Sequence, residues 1–168
     1  MALSNYTELK SAIANWLNRS DLTTEIADDF IKLVESEYNA KLRIKAMLTS
    51  KTDYSITAET VAVPTGFLQV RDFYISSGSE KYSLTYMAPT QMDQVKGGST
   101  SGRPTVYTIL GDNFRFAPSP DATYTATINY YKAIDSLSGS TATNYILTNH
   151  PGVYLYGSLY HSANFLGG

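Results

Sequence analysis

The hydrophobic period of this chain changes twice, and that constrains its fold more than any single motif. Up to about residue 49 the apolar residues recur at helical spacing. From residue 50 to about 135 they alternate, and from about 148 to 166 the helical spacing returns. A chain that reads helix, then strand, then helix must hold a β-rich middle between helical ends. The first helix has a visible start: Asn5 precedes Glu8 by three residues, the spacing of a capping box. Leu9, Ile13, Trp16 and Leu17 give it one face. "NRSD" breaks it, and a second helix runs from about Thr24 to Met47 with Ile26, Phe30, Leu33, Val34, Tyr38 and Leu42 as its stripe. Its acids come early and its bases late, which complements the helix dipole. The late "KLRIK" is a candidate contact for something acidic, but such a run is more often a solvated helix end.

The middle is strand and hairpin sequence. "YSITAETVAV", "FLQVRDFYI" and "YSLTYM" are separated by the turns "PTGF" and "SSGSEK". "APTQMDQVK" predicts one or two helical turns, and "GGSTSG" at 97–102 a flexible loop. Val106 to Leu110, the turn Gly111 to Asn113, and Phe114 to Phe116 predict a hairpin with both phenyl rings on one face and Arg115 on the other. Pro118 and Pro120 stop it, and "YTATINYY" supplies a third strand after Asp121. "SLSGSTATN" at 136–144 is a second flexible loop. The last helix is expected to take Asn149 as N-cap and Pro151 in its first turn. Val153, Tyr156, Leu159, Tyr160 and Ala163 form its apolar face, and Gly157 sits at a close packing contact. The fold class is therefore α+β. Two N-terminal helices and one C-terminal helix form a bundle, with a central antiparallel β-rich subdomain. The domain is read as a single one of 168 residues: 1–49 helical, 50–135 a β-rich insert, 148–166 the helical return.

Chemistry is hard to find. The chain has no cysteine, which removes thiolate metal sites, disulfides and a Cys nucleophile. His150 and His161 stand eleven residues apart and make no metal pair. "GGSTSG" shares only composition with a nucleophile elbow. Asp112 and Asp121 belong to turns, and Asp28 and Asp29 read as solvated early-helix acids. The glycines of "GRPTVYTILGDNFRFAPSP" open no helix, so they form no phosphate cradle. No catalytic, cofactor-binding or metal residue is assigned. A net charge of −2 gives no basic field for gripping nucleic acid. No secretion signal or apolar run of membrane-spanning length is visible. Charged residues make up 17% of the chain, below the usual quarter, and 14 tyrosines help cover its surface. Tyrosine serves both strands and protein interfaces.

Several stretches, taken in order, resemble the head–tail adaptor family of tailed bacteriophages, also called head completion or connector proteins. They are "YTELKSAIANWLNRSDLT", "AKLRIKAM", "VAVPTGFLQVRDFYI", "GRPTVYTILGDNFRFAPSPDATYTATINYY" and "HPGVYLYGSLYHSA". The resemblance covers nearly the whole chain and implies a structural virion protein, not an enzyme, with no cofactor. Such proteins form a ring, commonly of twelve subunits, beneath the portal protein. The ring extends the DNA ejection channel and offers a surface to tail or nozzle proteins. Genomic DNA would pass through without sequence-specific binding. The resemblance places the protein at the head–tail interface of the virion, made in the host cytoplasm and away from membranes. Longer relatives continue past the last helix and often dock that segment on the portal; here the sequence reads "FLGG" at that point, which either puts such an anchor in doubt or means that the chain is shortened. Candidate assembly-contact loops are Gly97, Gly98, Gly102 and Arg103, then Gly111, Asp112 and Asn113, then Ser138 and Gly139. No long apolar stripe is expected outside the core, so the isolated chain is expected to be monomeric or weakly associated. The alternative reading is a β-rich module that recognises a glycan or receptor, which exposed aromatics beside Asp or Asn in loops would favour. An enzyme with a cleft that no motif marks is the third.

Overall fold

The computed structural model describes residues 3–19, 22, 24–96 and 101–166. Two compact units emerge: residues 1–46 with 134–168, and residues 47–133. The first is helical. It holds α1 (Tyr6–Trp16), α2 (Thr24–Lys41), the short α4 (Tyr145–Asn149) and α5 (Pro151–Leu166). The second holds, among the described residues, eight strands and α3 (Pro89–Lys96). The α+β class and the placing of helices at both ends of the chain are as the periodicity requires.

In the helical unit α1, α2 and α5 pack on one another around Leu9, Ile13, Ile31, Val34, Leu147 and Tyr154, all of them buried. The start of α1 is as expected. The Asn5 side chain accepts from the Glu8 N–H at 3.0 Å. The reciprocal arm reaches one residue further back, where Glu8 Oε2 accepts from both the backbone N–H and the hydroxyl of Ser4. These donors hold the exposed Glu8 carboxyl below the usual range. The second helix is shorter than its apolar spacing predicts. It ends at Lys41, where Arg43 Nη1 donates to the carbonyls of Asn39 and Leu42 and takes up free carbonyls at the helix end. Leu42 and Ile44 continue the stripe only by packing on the core from outside the helix.

Gly157 is where α5 approaches α2. A Cβ there would lie 3.0 Å from Tyr38 Oη and 3.1 Å from both Val34 methyls. Tyr38 is held in place, since its hydroxyl donates to the Val153 carbonyl at 2.7 Å. Gly157→Ala is therefore expected to cost about 1–2 kcal/mol, overpacking outweighing the better helix propensity of alanine. A thermal melt checks this; a variant as stable as the parent would show that the contact gives way freely.

The β unit is a sandwich. One sheet has the order β1 (Leu48–Ile56), β8 (Tyr124–Lys132), β3 (Phe67–Ser77), β4 (Glu80–Ser83). The other has β2 (Thr60–Ala62), β7 (Asn113–Ala117), β6 (Val106–Leu110), β5 (Thr85–Tyr86). All pairs are antiparallel except β5 with β6. The inner faces meet in an aromatic core of Tyr54, Phe73, Tyr107, Phe114, Phe116 and Tyr130, with Ile56, Ile75 and Ile128. The β6–β7 hairpin is as predicted: Phe114 and Phe116 are fully buried, and Arg115 faces the other way, bound to Glu59 at 2.9 Å and Asp93 at 2.7 Å.

The third strand after Asp121 is not part of that sheet. It is β8, and it pairs with β1 and β3 in the opposite one. Nine residues long with β-branched and aromatic side chains, it has neighbours on both edges, whereas the hairpin is flanked by β2 and β5. Likewise "YSITAETVAV" and "YSLTYM" each divide between sheets. In the second, Leu84 turns inward at the crossing and is buried.

Candidate assembly surfaces

The sequence-predicted loop residues fall in both units. Gly97 and Gly98 lie outside the described residues. The Gly102 N–H donates to the Ser119 carbonyl at 2.8 Å, and the Arg103 guanidinium stacks on Tyr82 at 3.6 Å from the ring centroid. Gly111 sits in the hairpin turn with φ of 57°, a left-handed conformation that favours glycine. The Asp112 carbonyl accepts from the Val63 N–H, and Asn113 opens β7. These two groups stand at opposite ends of β6, about 17 Å apart for a five-residue strand. Ser138 and Gly139 belong to the helical unit.

The segment around Ser138 is tied down rather than loose. The Ser138 hydroxyl accepts from the Thr141 N–H at 3.0 Å, and the Ala142 carbonyl from the Tyr6 N–H at 2.7 Å. Leu137 is buried, and its N–H donates to Glu35 Oε1 at 2.8 Å. Asn39, one turn along α2, accepts from the Ile134 N–H at 2.9 Å. Glu35 is itself buried and also accepts from the Tyr154 hydroxyl at 3.1 Å. Burial pushes its carboxyl above the usual range, against the pull of the Leu137, Tyr154 and Ser136 donors. This node went unnoticed in the sequence, where Glu35 is one acid among several on α2.

Asn144 is the other part of the node. Its Nδ2 donates to the Tyr154 oxygen at 2.7 Å and to the Asp135 carbonyl. Its Oδ1 accepts from the Leu147 N–H, so Asn144 caps α4. The expected cap, Asn149, is instead the last residue of α4 and donates to the Tyr145 carbonyl. Pro151 lacks an N–H and opens a new helix, so the chain breaks at His150.

The titratable candidates are scattered. Asp28 is not simply solvated: it is half-buried and 3.2 Å from Lys10. Asp29 is exposed, with Lys32 at 3.5 Å. His161 lies 3.2 Å from Glu37, and His150 packs against the edge of Tyr145. Among the described residues no group of three His, Asp or Glu is placed to hold a metal ion.

The feature that stands out is apolar. Seven of the nine large exposed hydrophobic residues among those described lie in the helical unit; Tyr86 and Leu110 are the other two. Of the face expected to be the core side of the last helix, Leu159 packs on the core, but Val153, Tyr156, Tyr160 and Ala163 face outward. Tyr156 is 61% and Tyr160 68% exposed, and Val153 is exposed one turn earlier. The buried side is Tyr154, Leu155, Ser158 and Ser162. Trp16, assigned above to the buried face of α1, is 59% exposed and meets Tyr156 edge-on at 5.8 Å. Leu33 on α2 is exposed as well. So an apolar stripe does lie outside the core, and the expected reason for weak self-association is gone. A helix apolar on both sides is ordinarily buried on both sides, and exposed aromatic patches mark interaction sites.

Residues 4–168 match the family described as SU10 adaptor protein. The chain belongs to that family. This SU10-family protein is accordingly a phage head–tail adaptor, a structural component of the virion that interacts with other head and tail proteins. No curated protein matches the chain. No helix among the described residues is long and apolar enough to cross a membrane.

Proposed function

We propose that the adaptor works as a ring subunit seated beneath the portal, commonly twelve copies in such assemblies, extending the DNA channel and docking a tail or nozzle protein. The two units act together as one subunit, with the helical unit as the assembling part. The observation that carries this is the outward apolar face of α5, because a ring subunit must bury surface against two neighbours. The loops at Gly102–Arg103, Gly111–Asn113 and Ser138–Gly139 are further contact points for portal or tail. The net charge of −2 suits a conduit that DNA slides through without being held.

Electron microscopy of purified portal mixed with this adaptor tests the reading. Rings stacked on the portal are expected, and they give the copy number directly. No association with portal, and none with capsids lacking tails, would sink it.

A further inference from the structure

We infer that the groove between the stretch after α2 and the start of α5 holds a segment of a head or tail protein in which apolar side chains stand beside a carboxylate. This rests on the docking of such a protein proposed above, and not on the ring. Every residue lining the groove belongs to the helical unit. Its volume is about 370 Å³, and Leu42, Ile44, Ile146 and Val153 give it apolar walls. That is room for a few side chains of an extended or helical segment. Val153 and Tyr145 are exposed there, so the walls lie open in the subunit.

Charge selects the occupant. Among the described residues no Asp or Glu lines the groove, whereas Lys45 and His150 do. From Lys41 to Lys45 bases alternate with apolar residues, and two of the three bases are already engaged. Lys41 pairs with Glu37, and Arg43 Nη1 is held on the Asn39 and Leu42 carbonyls. Lys45 is exposed and has no partner among the described residues. The start of α5 opens on the same groove with no acid in its first turn, so the positive end of its dipole also faces a carboxylate placed there. An exposed lysine–carboxylate pair adds little affinity. The walls therefore supply most of the binding, and the charge decides which apolar segment is taken. The outward stripe of α5 in a second copy is a poorer fit, because residues 151–166 contain no Asp or Glu.

The test arrays overlapping peptides that cover the portal and tail proteins of the same virion, together with this chain itself, and probes them with the labelled adaptor. Portal or tail peptides that combine large apolar residues with Asp or Glu are expected to bind. Fluorescence anisotropy then measures their affinities in solution. Lys45→Glu and Val153→Glu should each weaken binding about tenfold, because each sets like charges together. Both positions are exposed, and a glutamate in the first turn of α5 suits the helix; circular dichroism confirms that each variant folds. Ser36→Glu, at an exposed position on α2 that does not line the groove, is the control and should leave binding unchanged. Binding by peptides without an acid, by peptides of this chain alone, or by none overturns the inference. So does binding that Lys45→Glu leaves unchanged or that Ser36→Glu weakens equally. Rings of the unmodified chain on portal are scored separately. Rings without such peptides mean that the groove is wrongly assigned and the ring right. Such peptides without rings mean that the groove docks a partner segment and the ring is wrong.

Discussion

Replacing Phe114 with alanine is expected to remove about 3–5 kcal/mol of stability, the largest loss from any single truncation in the β unit. Phe114 is fully buried and its ring meets those of Tyr54, Phe67, Phe73, Tyr107 and Phe116 at centroid distances between 5.3 and 6.3 Å. Most of these contacts are edge-to-face or tilted, the favoured geometries, so the ring contributes more than its buried area alone. It sits on β7 between both sheets, and its neighbours are rigid rings that cannot collapse into the space left. Small domains have only about 5–15 kcal/mol in all, so the variant should be close to unfolding at physiological temperature. Urea denaturation measures the loss. Leu110→Ala, at an exposed position on the same hairpin, should stay within about 0.5 kcal/mol of the parent. Equal effects at the two positions would contradict the packing described.

Removing the Glu35 side chain is the second large change. Glu35→Ala leaves the Leu137 N–H and the Tyr154 hydroxyl without their acceptor inside the helical unit. At about 1–3 kcal/mol for each stranded donor, the expected loss is about 2–5 kcal/mol. Glu35→Gln behaves differently, because an amide oxygen still accepts both bonds and carries no charge. Its effect depends on pH, and the sign follows from the raised carboxyl. Burial favours the protonated form in the folded state, so that contribution is complete below the unfolded value of 4.5 and is lost as pH rises through the higher folded value. The parent should therefore lose stability relative to Glu35→Gln as pH climbs from about 4 towards neutrality. Urea midpoints of both proteins across that range test it. A parallel pair of curves would show that Glu35 does not titrate differently in the folded chain.

Much of the fold was legible because short-range chemistry and long-range packing agree there. Asn5 caps α1, and Gly111 turns the β6–β7 hairpin. Phe114 and Phe116 alternate with Arg115 as a two-residue period demands. The failures fall where the local signal is symmetric. On α5 both sides are apolar, so spacing cannot tell Tyr154 and Leu155 from Tyr156 and Tyr160; only the neighbours α1 and α2 decide. Asn144 and Asn149 are equally good caps in isolation, and Pro151 decides by forcing a break. Strand β8 carries no mark of which sheet it joins. The outward apolar face was hidden for the same reason: exposed apolar residues on α5 have the composition of a core, and the sequence read alone assigns them to one.

The division of the chain also orders events during synthesis. Residues 47–133 are complete while the last part of the helical unit is still unmade, since that unit needs residues 134–168 as well as 1–46. On a translating ribosome the β unit can therefore finish first although it is encoded in the middle. Its outermost strands in sequence, β1 and β8, are hydrogen-bonded neighbours with Leu48 opposite Tyr131. That pairing brings the two ends of an 84-residue detour, Leu48 to Tyr131, to about 5 Å between Cα atoms. By the time α5 emerges, the loop-closure entropy separating it from α1 and α2 has already been met by the sheet. Until then α1 and α2 have only each other to pack on, and the side that meets α5 is uncovered.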